Sequence, residues 1–153
     1  MSTFTPLFAL IIGIDIYRYG KYQSLKGAVA DARKIEKYLK TVLKVPQAHI
    51  TFLSNEAATR KAILNGFRKL ETDPKIKTDN PILIYFAGHG GYMKAADFPP
   101  HLVSGSVDAS RVEFICPADI GSESNNVPVA GIPDITISHC LNKISKAKGN
   151  NIV

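Results

Sequence analysis

The sequence predicts an α/β fold, a mostly parallel sheet flanked by helices. Three observations predict it. Leu7–Ile14 is a continuous apolar run ending near a glycine, the pattern of a strand buried on both faces of a parallel sheet. Gly27–Leu43 and the segment after Thr59 carry apolar residues at helical spacing. Strand and helix signals then alternate along the chain, which implies right-handed βαβ crossovers.

The elements follow in order. Asp15–Ser24, polar and aromatic, reads as a loop after the first strand. In the first helix, Ala28, Ala32, Ile35, Leu39 and Val42 share one face and lysines the other. Pro46 closes this unit, and Ile50–Leu53 is a short second strand. Thr59 can cap a second helix whose stripe is Ile63, Phe67 and Leu70. Gly66 lowers its propensity without forbidding it. Ile82–Phe86, with its β-branched and aromatic bias, is a third strand after Pro81. Tyr92–Ser110 contains two prolines and several small residues and is expected to be a functional loop or lid. Val112–Cys116 is a fourth extended segment, stopped by Pro117, and Gly121–Pro133 is a second loop. Ile137, Cys140, Leu141, Ile144 and Ala147 form a third helical stripe, ended by Gly149. Asn150–Val153 reads as the start of another strand. The chain is therefore expected to stop inside a fold, before that strand is complete.

Composition narrows the function classes. At 153 residues the chain is expected to be one domain, 1–153. Its 45% hydrophobic content is near the globular mean, so a packed core is expected and pervasive disorder is not. The net charge of +6 invites a nucleic-acid partner. The 19 Lys and Arg are scattered between apolar helix positions, however, so a solvated basic surface is expected and no nucleic acid. Leu7–Ile12 is too short to span a bilayer, and the N-terminal segment lacks a signal-peptide layout. No membrane partner is expected. Two cysteines cannot build the disulfide scaffold of a small secreted domain, which points to a reducing, cytoplasmic location.

Chemistry concentrates at His89. It follows the C-terminal end of a predicted strand, the edge where open α/β sheets place ligands. Gly88, Gly90 and Gly91 flank it and let the backbone turn and approach a substrate. Imidazole suits proton transfer near neutral pH. An esterase oxyanion loop looks similar, but no serine here has glycines at both −2 and +2 to form a nucleophile elbow. Asp31 falls near the start of the first helix, beside its buried face. There it either complements the helix dipole or lines a site. Cys140 lies roughly 50 residues after His89, a spacing at which a nucleophilic cysteine can follow its histidine. It shares an apolar helical stripe, however, and is read as a small buried hydrophobe rather than a nucleophile. Cys116 is likewise read as structural. His49, His101 and His139 show no metal-ligand spacing with the cysteines, so neither a metal nor a cofactor is expected.

Together the phrases ALIIGI (9–14), LKGAVADA (25–32), ATRKAIL (58–64), ILIYFAGHG (82–90), CPAD (116–119) and ITISHCLNKISKAKGNNI (135–152) resemble the caspase/metacaspase superfamily of cysteine peptidases. They occur in family order over nearly the whole chain, and the resemblance corresponds to the N-terminal, large-subunit part of that fold. It implies cysteine endopeptidase chemistry on a polypeptide substrate. His89 would be the base of a Cys–His dyad and the Gly90 N–H an oxyanion donor. Asp31 would line a pocket for a basic side chain. Leu25 stands where true caspases carry an aspartate-reading arginine, so Lys or Arg specificity is implied. The family nucleophile lies on the strand after the third helix, which here opens at Asn151–Val153, so this chain alone is expected to be inactive. Ala28 and Ala87 replace a cysteine and a serine common in metacaspases. Val112 and Glu113 replace paired calcium-binding aspartates, so no calcium is expected. An alternative is a non-catalytic module that pairs with a caspase-like homologue.

Overall fold

The computed structural model describes residues 6–102 and 111–153. Its centre is a parallel sheet of β1 (Phe8–Gly13), β2 (Ile50–Ser54) and β3 (Ile82–Ala87), in the order β2-β1-β3. All six β1 residues are buried. The two faces of β1 feed two cores, because alternate side chains point to opposite sides. Ala9 and Ile11 meet Ala32 and Leu39 of α1 (Ala28–Thr41) on one face. Phe8, Leu10 and Ile12 join Ile63, Phe67 and Leu70 of α2 (Arg60–Thr72) on the other.

The expected caps hold at α2. The Thr59 hydroxyl accepts the Ala62 N–H at 3.1 Å. Gly66 has a packing reason: a Cβ there would lie 2.7 Å from Leu10 Cδ1. In α1 the predicted stripe is buried at Ala28, Ala32 and Leu39, whereas Val42 at the C-cap is 58% exposed.

After His89 the structure departs from expectation. The stretch read as a loop from Tyr92 is entered by a strand, β4 (Gly90–Lys94), antiparallel to β5 (Arg111–Ile115). The predicted loop continues through two short 3-10 turns, Ala95–Asp97 and Pro100–Leu102, and its last part, 103–110, lies outside the described residues. β5 does not join the parallel sheet. It sits between β4 and a later strand, β8 (Ile132–Pro133), in a second sheet. The second predicted loop, Gly121–Pro133, contains a hairpin of β6 (Glu123–Ser124) and β7 (Val127–Pro128). Its turn residues, Asn125 and Asn126, both take positive φ, as tight hairpins require. β8 (Ile132–Pro133) then leads into α3 (Asp134–Lys148). No apolar periodicity marks β4, β6 and β7, because four of the five β4 residues and all of β6 and β7 are exposed, and β8, though buried, is only two residues long.

Of the α3 stripe only Ile144 is fully buried. Ile137, Cys140 and Leu141 are half-buried and Ala147 is exposed. Gly149 ends the helix at φ 92°. The chain then returns to the sheet as expected. Ile152 bridges Ile82 in parallel, the Ile82 N–H donates to Asn151 O at 2.9 Å, and the Ile84 N–H donates to Val153 O at 2.8 Å. Among the described residues no helix is long and apolar enough to cross a membrane.

Candidate active site

His89 stands where β3 hands over to β4, at the C-terminal edge of the parallel sheet. Its ring is held by a loop distant in sequence. His89 Nε2 lies 2.7 Å from the Gln23 carbonyl oxygen. A carbonyl only accepts, so Nε2 carries the proton and Nδ1 of the neutral ring keeps a lone pair. The rings of Tyr17 and Tyr22 flank the imidazole, with centroids 5.0 and 5.7 Å away. The His89 N–H donates to the Tyr17 hydroxyl at 2.8 Å, and its carbonyl accepts from the Cys116 N–H at 2.9 Å.

That last bond fixes the ladder phase. His89 faces Cys116 one step beyond the Gly90↔Ile115 pair. In an antiparallel ladder hydrogen-bonded and non-bonded pairs alternate. Gly90 is therefore a non-bonded partner of Ile115, and its N–H turns away from β5 toward the open side of an edge strand. Gly90 itself is exposed.

The loop that carries Gln23 is anchored by a side chain that sequence reasoning passed over. Asp15, two residues past β1, accepts the Ala28 N–H at 2.8 Å and the Val29 N–H at 3.2 Å, capping α1 where Gly27 offers no side chain. Its own backbone carbonyl accepts the Leu25 N–H at 2.7 Å. The Asn55 side chain accepts the N–H groups of Asp15 and Ile16 at 2.9 and 3.2 Å. The only sequence signal was a polar residue directly after an apolar run. The capped helix begins 13 residues later, beyond any local capping pattern.

Asp31 sits in the first turn of α1. Its carboxylate is exposed and pairs with Lys34 on the same helix at 2.9 Å. Both cysteines are free. Cys116 is completely buried, and burial pushes its thiol up, partly offset by the Tyr22 hydroxyl. The Cys140 thiol, half-buried on α3, is also pushed up by burial. Burial therefore disfavours the thiolate form at both positions. Burial likewise pushes the phenols of Tyr17 and Tyr22 up to about 12. Among the described residues no three His, Cys, Asp or Glu side chains gather into a metal-binding cluster.

The caspase-domain family model matches residues 7–144. The chain belongs to the caspase-domain family. The chain is also similar to a crystal structure of a protein from Geobacter sulfurreducens, at 18% identity and a TM-score of 0.67. That likeness covers 95% of this chain and 47% of the other, so this caspase-like chain spans about half the length of that structure. At this identity the likeness speaks to fold. No curated protein matches the chain.

Proposed function

We propose that this caspase-like domain supplies the histidine side of a cysteine endopeptidase. The observation that carries the reading is the Nε2–H···O bond from His89 to Gln23, which leaves Nδ1 as the free base. Nδ1 takes the proton of a cysteine thiol, the thiolate attacks the peptide carbonyl, and the same nitrogen returns the proton to the leaving amine. The outward Gly90 N–H donates to the oxyanion that forms.

The nucleophile comes from outside these 153 residues. The burial and raised pKa of Cys116 and Cys140 support this. Ile152 bridges Ile82 of β3 in parallel, so a strand prolonged in that direction would run toward the edge that holds His89. Asp31, exposed and paired with Lys34 on its own helix, would then receive a Lys or Arg side chain of the substrate. A cytoplasmic setting belongs to the same reading, supported by two unpaired cysteines.

A second reading, a non-catalytic module pairing with a caspase-like homologue, draws support from the same absence of an ionised thiol. One assay separates the two. Cleavage of Arg- and Lys-terminated fluorogenic peptides is measured for this chain and for the chain extended along its coding sequence. The expected result is no turnover for the first and turnover for the second, with His89→Ala lowering kcat/KM about a hundredfold or more. Extended-chain activity that survives His89→Ala overturns the peptidase site. Activity of the short chain that disappears with Cys140→Ala restores Cys140 as the nucleophile.

A further inference from the structure

The His89 and Cys116 backbones meet as a hydrogen-bonded antiparallel pair that is only half closed. One of its two bonds is direct, from the Cys116 N–H to the His89 carbonyl at 2.9 Å. An ordinary pair of this kind would add a second direct bond, from the His89 N–H to the Cys116 carbonyl. Here the Tyr17 hydroxyl stands in that place. It accepts the His89 N–H at 2.8 Å and donates to the Cys116 carbonyl at 3.4 Å. The hydroxyl fits because Gly88 has no side chain, since a Cβ there would lie 2.7 Å from the Tyr17 oxygen. Tyr17 is 93% buried and reaches the pair from 72 residues away in sequence.

We propose that Tyr17 is a positioning residue for His89: its hydroxyl wedges the His89–Cys116 pair apart and so sets the imidazole on the Gln23 carbonyl. The inference rests on His89 being the base of the proposed peptidase, but it concerns geometry that exists without a nucleophile. The mechanism is simple. β3 ends at Ala87, so the His89 N–H has no partner in the parallel sheet. A partly buried donor between strands is stabilised by finding one. If it took the Cys116 carbonyl directly, His89 would be drawn into the β4–β5 ladder. The wedge gives the donor a partner while holding the residue off that ladder. The Nε2–H then meets a carbonyl presented by the same loop that carries Tyr17. One loop, Asp15 to Leu25, thus fixes both the backbone and the ring of His89.

The test uses nuclear magnetic resonance on this chain and two variants, Tyr17→Phe and Tyr22→Phe. Tyr17→Phe keeps the ring and removes only the wedge. The His89 Nε2–H resonance is expected to exchange with water about tenfold faster in Tyr17→Phe, the effect of one lost hydrogen bond. Tyr22→Phe, which keeps the wedge, is expected to leave that rate within about twofold. An unchanged rate in Tyr17→Phe overturns the proposal, and so does an equal loss in Tyr22→Phe, which would mark general loosening of the aromatic cluster. If Tyr17→Phe does not fold, the native chain still decides. Its His89 amide must be protected from hydrogen exchange although it lies between strands, and exchange at the rate of an exposed loop amide overturns the wedge. These readings do not involve peptide cleavage. Loss of the peptidase reading in the turnover assay therefore leaves them intact, and loss of the wedge leaves the turnover assay intact.

Discussion

The two sheets of this molecule are built on opposite principles. In the parallel sheet β1 is buried along its whole length and its sequence is uninterrupted apolar. In the antiparallel sheet β5 alternates: Arg111 and Glu113 are exposed, Val112 and Phe114 buried. The difference is where water stands. A parallel strand covered by helices on both faces needs apolar side chains at every position, while a strand with one wet face needs them at every second one. The packing differs accordingly. The parallel core is mainly aliphatic volume, filled by Leu10, Ile11, Ile12 and Ile63 with Phe8 and Phe67 beside them. The antiparallel sheet instead closes around one ring, Phe114, which the backbone approaches from both sides. A Cβ at Gly91 would lie 2.8 Å from that ring, and one at Gly131 would overlap it.

This contrast can be broken at its strongest point first. Leu10→Ala removes a fully buried side chain from the centre of the parallel sheet and should cost about 2–5 kcal/mol in urea unfolding. A loss below about 1 kcal/mol would mean that α2 collapses onto the cavity and the aliphatic core is not close-packed. Gly131→Ala acts the other way, by adding volume. The added methyl meets the stem of the Phe114 ring rather than a flexible tip, so about 1–3 kcal/mol of destabilisation is expected. Neutral behaviour in the same unfolding experiment would show that the small sheet yields, and the comparison would then be between a rigid and a soft region. The smallest effect is electrostatic and sits at the seam between the two sheets. Tyr17 and Tyr22 hold their phenols protonated up to about 12 because of burial. Between the ordinary tyrosine value near 10 and that point the folded chain binds more protons than the unfolded chain. Stability is therefore intact below about pH 10 and falls as pH rises through this window. An ultraviolet titration should show a late phenolate step. If Tyr17→Phe combined with Tyr22→Phe leaves that step in place, the phenols are not shielded as the packing requires.

Legibility in the sequence tracked the same divide. β1, β2, β3 and the three helices were readable because burial writes an apolar pattern into the sequence, whereas the return at Asn151–Val153, where Val153 is 82% exposed, followed from βαβ connectivity. The faces of α1 and α2 were readable at Ala32, Leu39, Ile63, Phe67 and Leu70 for the same reason. The exposed strands β4, β6 and β7 leave no such mark. β5 did carry a mark, the alternation from Arg111 to Phe114, which distinguishes an antiparallel half-buried strand from a parallel one.

The candidate site divides in the same way. The sequence by itself determined that a histidine would stand at the end of a buried strand among glycines. Those are properties of contiguous residues: an apolar run, its end, and backbone freedom at Gly88. Only the tertiary structure decided what holds that histidine. The Gln23 carbonyl and the Tyr17 hydroxyl reach it across 66 and 72 residues of chain. A backbone carbonyl has no residue type to read, and a hydroxyl reveals its partner only when folding brings the two within 3 Å. Position along a strand follows from local pattern. The protonation and aim of a side chain follow from neighbours that no local pattern names.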